Sequence, residues 1–278
     1  MEILLDLVEN RPKIRFALFD FDGTLSTLRH GWESIMEPLM LEMIAGKTPI
    51  DEGLVREVRE YIDQSTGIQT YYQMKWLAEA VKRHGRNKGA PDDPWWYKAE
   101  YNRRLMELVG KRKSAISAGE RRPEDFLIKG SIEFLKSLTD AGVEIYAASG
   151  TDHPDVCKEA ELLGLNKYFR EIRGAPLGKS DCSKEGVLRM LAAENGLLGP
   201  ELVVIGDGKV EISLGREAGA VTLGVASDED RLSGVNPIKR ERLVKAGAHA
   251  ITGDFEKVDE IMEWLGLKNY KRLKNYKK

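Results

Sequence analysis

Apolar and polar positions along the chain follow two different rhythms. Ile14 to Phe21, IRFALFDF, is an apolar run broken only by Arg15 and Asp20 and stopped by Asp22-Gly23. A short apolar run ending in a turn signal reads as a buried strand of a parallel sheet. From about Ser131 onward, such runs alternate with helical patterns. SIEFLKSLTDAG predicts a helix ended by Gly142, and Val143 to Ser149 predicts a strand. Asp155 to Leu163 reads as a helix, Lys167 to Arg173 as a short strand, and Lys184 to Gly196 as a helix. Leu202 to Asp207 is the cleanest buried strand of the chain. Helix Glu211 to Ala218, strand AVTLGVA, helix Pro237 to Ala246, strand HAITGD and helix Phe255 to Leu265 complete the series. Strands alternating with helices of this length imply right-handed crossovers and an α/β, doubly wound, Rossmann-like parallel sheet.

About a hundred residues between the first strand and this array keep a different period. Apolar residues recur at helical spacing: Trp32, Ile35, Met36 and Leu39; Leu54, Val58, Tyr61 and Ile62; Tyr72, Trp76, Leu77 and Val81. Thr48-Pro49 and Asp93-Pro94 each read as an N-cap followed by proline at the first helical position. Residues 27–125 are therefore expected to form an inserted all-helical subdomain, with Gly85 to Asp93 as its main loop. Residues 1–26 and 126–267 are expected to form the α/β core. Of the adjacent Trp95 and Trp96, at least one is expected in the helical core.

Composition narrows the class. The 278 residues carry 43 Lys plus Arg against 45 Asp plus Glu, a formal charge of −2. Six of the positive charges lie in the last eleven residues, Lys268 to Lys278, which contain no acid. An acidic body with a short basic tail is the better description, and it argues against a protein that grips nucleic acid through overall basicity. With 32% charged residues, no membrane span of about 20 apolar residues is expected. Two cysteines, Cys157 and Cys182, are too few for a disulfide framework, and the start of the chain does not read as a secretory leader. A cytoplasmic protein is the expectation.

Ligands of doubly wound sheets bind beyond the carboxyl ends of the strands, where the strand order reverses. The polar residues that follow strands are Asp20, Asp22, Gly23 and Thr24; Ser149, Gly150 and Thr151; and Asp207, Gly208 and Glu211. Lys184 opens the helix before the last of these strands. FDFDGTLS, YAASGT, a lysine some twenty residues before the last cluster, and IGDGKVE together resemble the four motifs of the haloacid dehalogenase superfamily. The inserted helical segment resembles the cap that many phosphatases of that superfamily carry there, phosphoglycolate phosphatase among them.

The resemblance implies a magnesium-dependent phosphatase acting on a small phosphorylated metabolite, a sugar phosphate or a phosphoglycolate-like acid. Asp20 would attack phosphorus and form an aspartyl-phosphate, splitting one difficult step into two. Asp22 would protonate the leaving oxygen and later deprotonate water. Asp20, the main-chain carbonyl of Asp22, and Asp207 form a hard-oxygen set suited to magnesium, and Glu211 can hold a water of the ion's shell. Lys184 supplies a second positive charge, with Lys179 as its rival. Ser149 and the amides of Gly150 and Thr24 are placed to take phosphoryl oxygens. Arg29 and His30 could reach a second anionic or polar group of the substrate, or could be a solvated linker. A phosphomutase of the same superfamily needs the same core, and a binding module that kept the fold without turnover is the alternative from another class. Residues 228–242, DEDRLSGVNPIKRER, begin after a predicted strand and could border the active face, but read better as a charged surface loop.

Overall fold

A computed structural model describes residues 1–7, 12–176, 184–196 and 199–267. Among these, in chain order, are β1 (Glu2–Ile3), β2 (Phe16–Phe19), α1 (Glu33–Ala45), α2 (Glu52–Gln64), α3 (Thr70–His84), α4 (Pro94–Ser117), α5 (Ser131–Asp140) and β3 (Glu144–Asp152). They are followed by α6 (His153–Leu162), β4 (Glu171–Ala175), α7 (Lys184–Asn195), β5 (Leu202–Gly206), α8 (Lys209–Glu217), β6 (Val221–Val225), α9 (Pro237–Lys245), β7 (Ala250–Thr252) and α10 (Val258–Trp264). The strands form one sheet in the order β1-β7-β6-β5-β2-β3-β4. Every pairing is parallel except that of the short edge strand β1, which runs antiparallel to β7.

The sheet explains why its strands read as nearly continuous apolar runs. In β2, Ala17 and Phe19 pack into a cluster with Phe134, Ile145, Val156 and Ile205 on one face. Phe16 and Leu18 enter a second cluster with Tyr146, Leu202 and Val204 on the other. Both faces of a strand flanked by helices are buried, so neither parity can be polar. From β2 the order moves outward to β3 on one side and to β5 on the other, with Phe19 level with Ala147 and Ile205. That reversal opens a crevice beyond the carboxyl ends of β2, β3 and β5.

Helices α1 to α4 enclose an apolar cluster of their own, built around Met36, Leu39, Leu54, Val58, Leu77, Tyr97 and Leu105. Met36, Leu39, Leu54, Val58, Ile62, Leu77 and Val81, read as periodic in the sequence, are buried in it, because a helix that shows one apolar face must bury it. Asp93 caps α4, its side chain accepting from the Trp95 amide at 2.9 Å, with Pro94 in the first turn. Thr48-Pro49 behaves otherwise. The Thr48 hydroxyl donates to the Ala45 carbonyl at 2.7 Å and finishes α1, while Asp51 caps α2 by accepting from the Leu54 amide at 2.9 Å. A carboxylate three residues downstream outcompetes the threonine as cap. Neither Trp95 nor Trp96 is buried; Tyr97, fully buried, takes the core position.

Other departures are local. β3 continues past Ser149 to Asp152, the residues expected as strand around Lys167 hold a 3-10 turn before β4, and α10 starts at Val258. Strand β1 was not anticipated, since two residues carry no periodicity. The basic tail Lys268 to Lys278, Lys179 and Cys182 lie outside the described residues. No helix among the described residues is long and apolar enough to cross a membrane.

Candidate active site

Asp20 is the first residue beyond β2, and its amide still donates to the Ile205 carbonyl at 2.8 Å. The loop then folds on itself, with the Leu25 and Ser26 amides both donating to the Phe21 carbonyl at 3.0 Å. Gly23 turns it at φ +76°, and a Cβ there would sit 2.4 Å from Asp207 Oδ2. Only glycine accommodates both the backbone and the contact. Thr24 is fully buried beneath this loop.

Strand ends bring the acids together. Asp20, Asp207 and Glu211 each place a carboxylate oxygen within 4.8 Å of the others, with Asp20 7% and Asp207 9% exposed. Glu211 is fixed by the Gly208 amide, which donates to its Oε1 at 2.6 Å at the start of α8. Three converging carboxylates in a buried pocket repel one another unless a cation joins them, and their hard oxygens suit magnesium. The Asp22 carboxylate points elsewhere. Ser149 Oγ and Thr151 Oγ1 donate to its Oδ2 at 3.2 and 2.9 Å, and the Thr151 amide donates to Ser149 Oγ at 3.0 Å. Any contribution of Asp22 to an ion site therefore rests on its main chain.

A cation that the sequence reading passed over sits beside this cluster. Lys239 Nζ donates to Asp207 Oδ2 at 2.8 Å, Glu229 Oε1 at 2.6 Å and Ser227 Oγ at 3.1 Å. Ser227 in turn donates to the Gly23 carbonyl at 2.5 Å. Burial works against the Lys239 charge, but Asp207 and Glu229 more than offset it and hold the ammonium protonated. Residues 228–242 are therefore not wholly a solvated loop. Asn236 caps α9, accepting from the Ile238 and Lys239 amides, with Pro237 in the first turn. Asn-Pro was the available signal, because a helix starting there beyond β6 aims its first turn at the crevice. Lys184 is the first residue of α7.

The opposite wall comes from the helical segment. A cavity of about 120 Å³ lies between Asp20, Asp22, Ser149, Gly150 and Asp207 on one side and Trp32, Thr66, Ile68, Thr70, Tyr101 and Leu105 on the other. The turn joining α2 to α3, Ser65 to Gln69, covers it; a Cβ on Gly150 would lie 3.4 Å from the Ile68 carbonyl. Nothing in the sequence reading singled out this turn. Arg29 also lines the cavity but is engaged from behind. Its Nε and Nη2 donate to Glu159 at 3.0 and 2.8 Å, and it lies 3.9 Å from both Asp22 and Asp155. Burial opposes the guanidinium charge, yet Glu159 and then Asp22 raise its pKa above the ordinary value. His30 stands next to it between Glu229, at 3.5 Å, and Asp230, at 2.9 Å.

Comparison with known proteins places the chain in a family. A family model of haloacid dehalogenase-like hydrolases matches residues 14–219. A phosphoglycolate phosphatase of Salmonella choleraesuis is 22% identical over 224 residues, covering 80% of this chain and 83% of that protein. Among solved structures, a predicted phosphoglycolate phosphatase from Haemophilus somnus superposes with a TM-score of 0.60 at 16% identity, covering 90% of this chain and 99% of that one. A β-phosphoglucomutase from Clostridium difficile gives a TM-score of 0.61 at 17% identity, covering 91% and 97%. At these identities the two structures speak for the fold.

Proposed function

We propose, from the premise that this chain belongs to the haloacid dehalogenase-like hydrolases, that it is a magnesium-dependent phosphatase of a small phosphorylated metabolite. The observation that carries the reading is the placement of two kinds of carboxylate one residue apart at the end of β2. Asp20 faces Asp207 and Glu211, and Asp22 faces hydroxyl donors and Arg29. Asp20, Asp207, Glu211 and the Asp22 main chain would hold magnesium, which supplies positive charge against the phosphoryl oxygens.

In the first step an Asp20 oxygen bonds to phosphorus as the bond to the leaving oxygen breaks, and Asp22 gives that oxygen its proton. In the second, water attacks the aspartyl-phosphate, Asp22 takes a proton from it, and the bond between phosphorus and Asp20 breaks. Thr151 holds Asp22 Oδ2 in place. The amides of Gly150 and Thr24 are assigned to the phosphoryl group, as are Lys184 and the Ser149 hydroxyl, which turns to it from Asp22 when substrate binds. Helices α1 to α4, within residues 27–125, act as a cap that excludes water and contacts the leaving group.

Phosphate release from a metabolite panel, with magnesium and with a chelator, tests the reading. Release that stops with chelator and in Asp20→Asn is expected. Full activity of Asp20→Asn would overturn the mechanism, and isomerisation of a sugar phosphate without phosphate release would reassign the protein to the phosphomutases.

A further inference from the structure

We propose, resting on the phosphatase reading, that the substrate is the phosphate monoester of a small uncharged alcohol bearing at least one further hydroxyl, and that Tyr101 reads that hydroxyl. The charge of the cavity argues first. Its lining holds the carboxylates Asp20, Asp22 and Asp207 and a single cation among the described residues, Arg29. That guanidinium is already shared by Glu159, Asp155 and Asp22. Asp20 and Asp207 are matched by the ion they would hold and by Lys239, so a carboxylate on the leaving group would meet Asp22 and an arginine whose charge is already shared, with no unmatched lining cation among the described residues to receive it. A neutral leaving group meets no such barrier.

Hydrogen bonding argues second. Tyr101 projects from α4 into the cavity and is 4% exposed. Its hydroxyl makes no hydrogen bond among the described residues and is not one of the fully buried unpaired polar atoms, so it keeps open surface that a ligand atom can use. Burial raises the pKa of the phenol, which leaves it a neutral donor and acceptor that can pair with an alcohol. Thr70 adds a second hydroxyl on the same wall, while Trp32, Ile68 and Leu105 supply apolar surface for a carbon chain.

Three substrates of similar size separate these elements: glycerol 3-phosphate, 3-phosphoglycerate, which carries a carboxylate, and propyl phosphate, which has no further hydroxyl. With magnesium present, the wild-type protein is expected to show a kcat/KM for glycerol 3-phosphate at least about tenfold above either of the others. Tyr101→Phe is expected to lower kcat/KM for glycerol 3-phosphate about tenfold more than for propyl phosphate, since it removes one neutral hydrogen bond. Equal or better turnover of 3-phosphoglycerate, or equal losses on both neutral esters in Tyr101→Phe, overturns the proposal while leaving the phosphatase reading intact. Phosphate release from none of the three, nor from an aryl phosphate, overturns both.

Discussion

The two sides of the crevice are built by different rules. On the sheet side, Asp20 and Asp207 directly follow β2 and β5, Asp22 follows in the tight loop after β2, and Ser149 lies within β3, so backbone hydrogen bonding fixes their relative positions. On the helical side, Trp32, Thr70 and Tyr101 come from α1's approach, α3 and α4, and reach one cavity only because four helices share an apolar cluster. The sheet side is thus rigid by hydrogen-bond register and the helical side by side-chain packing. Chemistry common to many leaving groups belongs on the first, and discrimination among them on the second.

Variants at Asp22 test that division most strongly. Asp22→Asn keeps the shape of the carboxylate but cannot shuttle a proton, and should lower kcat on alkyl phosphates by about 10²- to 10⁴-fold. In kcat/KM, which reports the first step, the loss should be much smaller on a nitrophenyl phosphate, whose leaving oxygen needs no proton, while kcat falls on both because Asp22 is also the base of the second step. Equal losses of kcat/KM on both would mean that Asp22 positions groups instead of protonating the leaving oxygen.

Arg29 stands at the seam between the two sides. Glu159 is fully buried and its two hydrogen-bonded contacts to Arg29 run along one edge of the guanidinium. Arg29→Met should therefore destabilise the fold by about 3 kcal/mol in urea unfolding, because it leaves a buried carboxylate with only Lys113 among the described residues, 3.9 Å away, to balance it. A double variant with Glu159→Leu should recover most of that. If Arg29→Met instead unfolds like wild type while KM rises steeply, Arg29 is a substrate clamp, the role its distance from the first motif suggested.

How much of this was legible in the sequence follows the same division. The strand order's chemistry could be read because a buried strand announces its end locally: IRFALF stops at Asp20, and LVVIG at Asp207. The helices of residues 27–125 could be read from period, and Asp93-Pro94 from capping chemistry. What escaped depended on long-range packing. Tyr101 and Trp32 look like any core aromatic of an amphipathic helix, and Ser65 to Gln69 like any short turn. Glu159 carries no local signal; α6 sets it against Arg29, 130 residues away in sequence. Lys239 lies in a run of mixed charges whose sign pattern resembles a solvated face, and the place of that run after a strand, with its helix cap, was the hint of direction.

Lys239 offers a sharper test of the sheet side. Its bond to Asp207 Oδ2 is an outer contact that orients one carboxylate of the proposed ion site. Lys239→Met should weaken magnesium binding about 10- to 100-fold, read by calorimetry or by magnesium-dependent thermal stabilisation, and Lys239→Arg should restore part of it. Unchanged or tighter binding in Lys239→Met would make the lysine only a counter-charge that the ion displaces.

The smallest effect couples the two sides. Glu229 accepts from Lys239 and also faces His30, on the chain that leads into α1. Hydrogen bonding to Glu229 and Asp230 raises the His30 pKa from 6.5 to about 9, against the cost of burial. A raised pKa means that the folded state binds the proton more tightly than the unfolded chain. The stabilisation is therefore complete below about pH 6.5 and disappears as pH rises through 9. For a ring whose side chain is 32% exposed, solvent screening reduces the contribution to about 1 kcal/mol. The difference in melting temperature between wild type and His30→Asn should thus be largest near pH 6 and vanish by about pH 10. A constant difference would mean that His30 serves by packing alone and that Glu229 carries no charge coupling between the helical segment and Lys239.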